Sequence, residues 1–248
     1  MSDRRGRFAL LSLLLLPAAP LRAQDPNELL RLADEPRKAY REALIRVRVT
    51  NFEHGQPGPA SEFDLYKKGE DRGLIVFRTG TQKGRKILTV GEKFWLVVPG
   101  AKHAIPVSAN QRLVGGASMV DAARLSFADF AASLAGTEEI DGTACDVLAL
   151  TARAPTSAYG SGKVWLDKKE HLARKAVLNL VSGRPAKEIS FEEYGRDGRN
   201  IVLKKMRLRD LPQSKTQAET LLEYVSYQKA NIEDDVFTPE GALKFSAD

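Results

Sequence analysis

The strongest constraint on the fold of this chain is a hydrophobic period of two that begins at residue 45 and recurs almost to the end. Ile45, Val47 and Val49 alternate with Arg46, Arg48 and Thr50, which is the pattern of a strand with one buried and one wet face. Phe63 and Leu65 repeat it within 62–68. Segments 74–78, 87–90, 94–98, 105–108, 145–151, 163–167, 173–181, 186–194, 200–209 and 219–227 also read as strands. Glycine-bearing turns separate many of them, among them Val90-Gly91-Glu92-Lys93 and Arg196-Asp197-Gly198-Arg199. The pattern predicts one long antiparallel meander. It excludes a doubly wound nucleotide-binding fold, which needs helices alternating with the strands.

Two stretches depart from this period. In 26–40, Leu29, Leu30, Ala33 and Ala39 fall at roughly helical spacing; Pro26 suits a first turn and Pro36 is expected to break or kink the helix. Residues 109–134 read as an insert, with Gly115-Gly116 followed by helix-like composition in 122–125 and 127–134. A large sheet with one apolar face needs a cover, and these two segments can supply it.

The N-terminus reads as an export signal. Arg4, Arg5 and Arg7 precede an apolar run over 8–16, and Leu21-Arg22-Ala23-Gln24 is a small-residue cleavage site, so residues 1–23 are expected to be removed and 24–248 to form one domain in the periplasm. The run is too short to cross a bilayer, which takes about 20 apolar residues. No cysteine stands at the cleavage point for lipid attachment. Arg4-Arg5 resembles a twin-arginine signal with Phe8 one place late, which leaves the export route open between Sec and Tat.

Charge narrows the partners. Of 38 basic and 32 acidic residues, four arginines and one aspartate lie in the leader. The remainder holds 34 basic and 31 acidic residues, so nucleic acid as a partner loses its main support. Cys145 is the only cysteine, which excludes an internal disulfide and reads as a packed strand residue.

Little in the chain suggests chemistry. His54, His103 and His171 stand far apart, no Gly-x-Ser-x-Gly elbow occurs, and Gly160-Ser161-Gly162 leads into a strand instead of a helix. Neither catalysis, a metal nor a cofactor is expected, although a fold can still assemble a triad from distant residues. Lys205, Arg207 and Arg209 share a strand face that reads as a solvated outer surface, and Trp95 and Trp165 read first as core anchors.

A resemblance adds to this. The hairpin Ile87-Leu88-Thr89-Val90-Gly91-Glu92-Lys93-Phe94-Trp95-Leu96-Val97-Val98-Pro99-Gly100 resembles that of LolA-like outer-membrane lipoprotein-sorting proteins. There a second strand carries Trp before a Pro. Gln111-Arg112-Leu113-Val114-Gly115, Asp141-Gly142-Thr143-Ala144-Cys145-Asp146-Val147-Leu148, Val164-Trp165-Leu166-Asp167, Phe191-Glu192-Glu193-Tyr194 and Val236-Phe237-Thr238-Pro239 follow in the family's order. The resemblance spans nearly all of 24–248. It implies a mainly β, α+β fold: a strongly curved antiparallel sheet forming an incomplete β-barrel, with the N-terminal helix and the helical insert as lid.

The same resemblance implies a monomeric carrier that binds acyl chains of lipoproteins or related lipids in an apolar hollow. It would pass them from an inner-membrane transporter of ABC or RND type toward the outer membrane, where an acceptor takes them. The strand pattern nominates Val47, Val49, Phe63, Leu65, Trp95, Val97, Leu178 and Leu180 as lipid-facing, and a slip of one residue would invert any of them. In the carrier that gives the family its name, an arginine before a proline ties sheet to lid. Here the corresponding place reads Tyr66-Lys67-Lys68-Gly69, and lysine lacks the planar fork of that tie. The alternative function is a periplasmic lipid-sensing or accessory subunit of an envelope transporter or stress-response system. That role would want a second interaction domain and ranks below the carrier.

Overall fold

The computed structural model describes residues 24–108, 112–114, 117–118, 126–211 and 218–246. Helix α1 (Pro26–Lys38) comes first, and its residues explain both of its ends. Asp25 caps it by accepting from the Asn27 amide, and Pro26 sits where no N–H is needed. Arg37 and Lys38 lie at the negative end of the helix dipole. The break expected at Pro36 does not occur. So close to the end of the helix, its missing N–H forfeits a single bond, and the helix runs two residues further.

Strands β1 (Glu42–Glu53), β2 (Gln56–Pro57), β3 (Ser61–Lys68), β4 (Arg72–Phe77), β5 (Lys86–Val90), β6 (Lys93–Val97) and β7 (Ile105–Val107) build one wing. β8 (Arg112–Val114) and β9 (Ala117–Ser118) pair with each other as a small ribbon. A 3-10 turn at Phe127–Asp129 then leads into β10 (Phe130–Ile140), β11 (Thr143–Ala152), β12 (Ser161–Asp167), β13 (Ala173–Asn179), β14 (Pro185–Asp197), β15 (Asn200–Asp210) and β16 (Glu219–Lys229). A further 3-10 turn, Asp234–Phe237, and the short helix α2 (Pro239–Lys244) follow.

The two wings join where β1 pairs antiparallel with β16, Val49 opposite Leu222 and Ile45 opposite Tyr227. One 14-stranded sheet results, in the order β10-β11-β12-β13-β14-β15-β16-β1-β3-β4-β5-β6-β7, with β2 on the side of β1. The single meander expected from the sequence is thus two meanders, fused through strands from opposite ends of the chain.

Two expectations are corrected here. The strongly curved, incomplete β-barrel gives way to an open, mostly β sheet with few helices, because no pairing among the described residues joins β7 to β10. β7 has three residues and carries Pro106, which has no N–H to give a ladder, so it ends the sheet as an edge. The helical reading of 127–134 is also overturned. After the short turn the chain pairs with β11, Phe130 opposite Ala152 and Leu134 opposite Leu148. An Ala- and Ser-rich run has no strong period of its own, and the neighbouring strand decides its state. Most of the remaining insert, and the leader 1–23, lie outside the described residues.

The sheet buries apolar side chains on both faces. On one, Leu29, Leu30 and Ala33 of α1 pack into the largest cluster. On the opposite face of the β3–β6 wing, Leu74, Val76 and Leu88 pack against Val236, Phe237 and Ala242 of the C-terminal turn and helix. Elsewhere the outward side chains form ion pairs: Lys205 with Glu223 (3.6 Å), Arg207 with Glu219 (3.4 Å) and Arg209 with Glu188 (3.4 Å).

Candidate functional site

The face beneath α1 collects most of the nominated residues. Val47 and Val49 on β1, Phe63 and Leu65 on β3 and Leu178 on β13 all belong to the cluster that holds the helix, and none is more than 8% exposed. Trp95 and Val97 do not join them. They lie on the other side of β6, against the C-terminal segment, while Phe94 and Leu96 point toward the α1 cluster. The difference is one step in strand parity. Leu180 follows the end of β13 and serves the turn, its amide donating to the Arg184 carbonyl and its carbonyl accepting from the Gly183 amide.

Four tyrosines on the α1 side have no counterpart in the sequence reading. Tyr40, Tyr194, Tyr224 and Tyr227 pack against this cluster while keeping some solvent contact. Tyr224 and Tyr227 stack with ring centres 6.1 Å apart, and Tyr227 lies 6.1 Å from Tyr40. Strict alternation would place residues 224 and 227 on opposite faces. A bulge brings them together: Val47 is opposite Tyr224 and Arg46 opposite Ser226, so Val225 is an extra residue, and it is exposed. Burial pushes the Tyr224 phenol up to about 12, and it raises Tyr194 and Tyr227 above the usual tyrosine range as well. The Tyr194 hydroxyl donates to the Ala173 carbonyl (2.8 Å) and that of Tyr227 to the Leu203 carbonyl.

The end of α1 is a polar knot inside this apolar setting. Asp34 is 2% exposed and accepts from Arg37 Nη2 and from the Ser126 hydroxyl (2.8 Å), with Lys38 Nζ 3.4 Å away. Burial alone would raise its carboxyl, but Arg37 and Lys38 outweigh burial and hold it below the usual carboxylate value. At the other end of the helix, Asn27 Oδ1 accepts from the Ala132 amide and so occupies part of the free edge of β10.

Lysines tie covering segments to the sheet although they lack the planar fork of arginine. Lys67 Nζ on β3 donates to the carbonyls of Arg37 (3.3 Å) and Tyr40 (3.1 Å). Lys68 Nζ, on the other face, donates to Ile232 (2.6 Å). Lys86 Nζ reaches the carbonyls of Ala242, Leu243 and Phe245. An ammonium group has three donors, and the converging main-chain oxygens replace the missing fork. Burial lowers both Lys67 and Lys86 below the usual lysine value.

The described cavities lie away from α1. One of about 680 Å³ sits at the tip of the β1–β3 hairpin, beside His54, Pro57 and Thr81. Another, about 430 Å³, lies between Arg78, Lys83 and Phe245. Among the described residues, no group of three His, Cys, Asp or Glu could hold a metal ion, and no helix is long and apolar enough to cross a membrane. Cys145 is fully buried, and burial raises its thiol.

This architecture recurs in solved proteins. A LolA superfamily protein from Nitrosomonas europaea superposes with a TM-score of 0.78 at 23% identity, covering 88% of this chain and 99% of that one. A DUF1329 family protein from Desulfovibrio piger gives 0.74 at 19% identity, over 89% and 100% of the two chains. A domain designated an outer membrane lipoprotein-sorting protein, from Vibrio parahaemolyticus, gives 0.71 at 16%, over 88% and 99%. No curated protein matches the chain in sequence. The chain has the LolA superfamily fold, and it belongs to the family described as "Uncharacterized protein", whose model matches residues 69–242.

Proposed function

We propose that this protein is a periplasmic carrier that binds acyl chains of lipoproteins or related lipids between α1 and the sheet. The observation that carries the reading is the apolar cluster that α1 joins, on a fold shared over most of the chain with LolA superfamily and lipoprotein-sorting proteins. An acyl chain gains about 0.8 kcal/mol for each CH₂ removed from water, so a carrier needs apolar wall instead of reactive groups. Val47, Val49, Phe63, Leu65 and Leu178 form the proposed wall, with Tyr224 and Tyr227 beside them. These residues are buried in the cluster that α1 joins, while α1 itself rests on β10, β15 and the 127–129 turn, so the proposed access route opens when the helix lifts, and Lys67 is the tie that resists it. Trp95 and Val97 belong to the C-terminal anchor in this reading.

Residues 1–23 would direct export. An inner-membrane transporter of ABC or RND type is the proposed donor, with an outer-membrane acceptor that grips the lipid more strongly, since transfer follows differential affinity. Native mass spectrometry of protein purified from the periplasm, together with displacement of a fluorescent fatty acid, tests the proposal. Co-purifying acyl lipid is the expected result. An empty protein that also ignores the probe would refute it.

A further inference from the structure

Among the described residues, Arg37 is the group in the α1 site whose bonding is incomplete. Its side chain is 13% exposed. Nη2 donates to Asp34, whereas the buried Nε and Nη1 find no acceptor among the described residues. The guanidinium lies 4.7 Å from the ring centre of Phe127 and 5.9 Å from that of Phe191. Such stacking engages the flat faces of the group and leaves its in-plane N–H donors unserved. The charge cannot be shed either, because arginine stays protonated in a protein.

In this arrangement the neighbours do not supply what is missing. Asp34 already serves Ser126, Lys38 and Nη2. Glu70 is taken by Lys38 at 2.7 Å. The Arg37 and Tyr40 carbonyls accept from Lys67, and the Tyr194 hydroxyl donates to Ala173. Around the end of the helix stand the cations Arg37, Lys38 and Lys67 and the carboxylates Asp34 and Glu70, with Asp197 accepting from the Tyr40 hydroxyl. The positive field of Arg37 reaches the phenols of Tyr194 and Tyr224, where it opposes the effect of burial. A cation with unused donors, walled by aromatic rings, suits an anion that carries an apolar tail.

We propose that Arg37 receives the acidic head group of an acyl-chain ligand whose tail lies on the α1-covered face. The assignment rests on the carrier reading above and narrows it to anionic lipids. Neutral lipids of the same length would share the wall but bring no charge to pair with Arg37.

The test compares palmitate, hexadecyl phosphate and hexadecanol as competitors against a fluorescent fatty alcohol on the purified protein. The acids are expected to bind at least about tenfold more tightly than the alcohol, equivalent to about 1.4 kcal/mol. The ratio of the two acids identifies the head group as carboxylate or phosphate. Arg37→Gln should abolish the preference for acids and leave hexadecanol binding within about twofold, and Arg37→Lys should restore part of it. Equal binding of acid and alcohol by the wild-type protein, a comparison needing no variant, would overturn the assignment while leaving the carrier reading intact. The same holds if Arg37→Gln keeps the preference. If no compound binds, the carrier reading falls and this assignment falls with it.

Discussion

Lys67 Nζ lies 3.1 Å from the carbonyl oxygen of Tyr40, so a strand lysine fastens the end of the covering helix to the sheet. Replacing it by methionine, Lys67→Met, keeps the apolar stem and removes the donors. The Arg37 and Tyr40 carbonyls are then unserved, at about 1–3 kcal/mol for each group that stays buried, offset in part by relief of the buried ammonium. The loss should be local. Hydrogen exchange is expected to quicken in 26–38 and stay slow in β12–β14, and uptake of a fluorescent lipid should become faster. Uniformly faster exchange would show a general loss of stability instead of a released helix.

Asp34→Asn should cost more. The change strips a buried carboxylate from Arg37, and breaking one side of a buried pair typically costs about 3–5 kcal/mol. The folded carboxyl lies below the ordinary value of 3.8. Its contribution is therefore full above that value and lost as pH falls through the lower folded value. Urea unfolding of the two proteins should differ at pH ~7 and converge in strong acid. A constant gap down to the lowest pH would contradict the pairing.

The C-terminal helix is held in a comparable way, by Lys86. Lys86→Ala should free the carbonyls of Ala242, Leu243 and Phe245 and cost about 1–3 kcal/mol. Limited proteolysis is expected to begin within 234–246 before any cut in the sheet. Unchanged resistance there would mean that Val236 and Phe237 hold the segment without the lysine.

Alkaline pH probes the tyrosines. The phenol of Tyr224 stands at about 12, above the ordinary 10.0. The unfolded chain therefore releases its proton first, and stability present below pH 10 is lost as pH rises toward 12. Tyr224→Phe should flatten that decline, measured by urea unfolding at stepped pH. An unaltered slope would place Tyr224 in open solvent.

Much of the sheet was legible because period two is local. Ile45, Val47 and Val49 face inward as their alternation with charged neighbours requires, and Leu178 does so on β13. The Pro-led start of α1 was equally plain. The signal failed where the local pattern had two solutions. In Phe94-Trp95-Leu96-Val97 all four residues are apolar, so alternation cannot say which pair faces α1, and both faces of β6 are in fact covered. Tyr224 and Tyr227 were hidden by a bulge at Val225, whose position depends on register with β1. The helix at Pro239–Lys244 carries a readable start in Thr238 before Pro239 and Glu240.

The sequence by itself determined that this chain forms an antiparallel sheet with an N-terminal amphipathic helix, because side-chain spacing acts over a few residues. Tertiary structure alone decided that residues 42–53 and 219–229 pair in the middle of the sheet, that its edges stay apart, and that Arg37, Asp34 and Lys67 meet at one helix end. Those outcomes depend on contacts between residues far apart in the chain. Their energies arise from burial and charge pairing in the folded state, which no local period encodes.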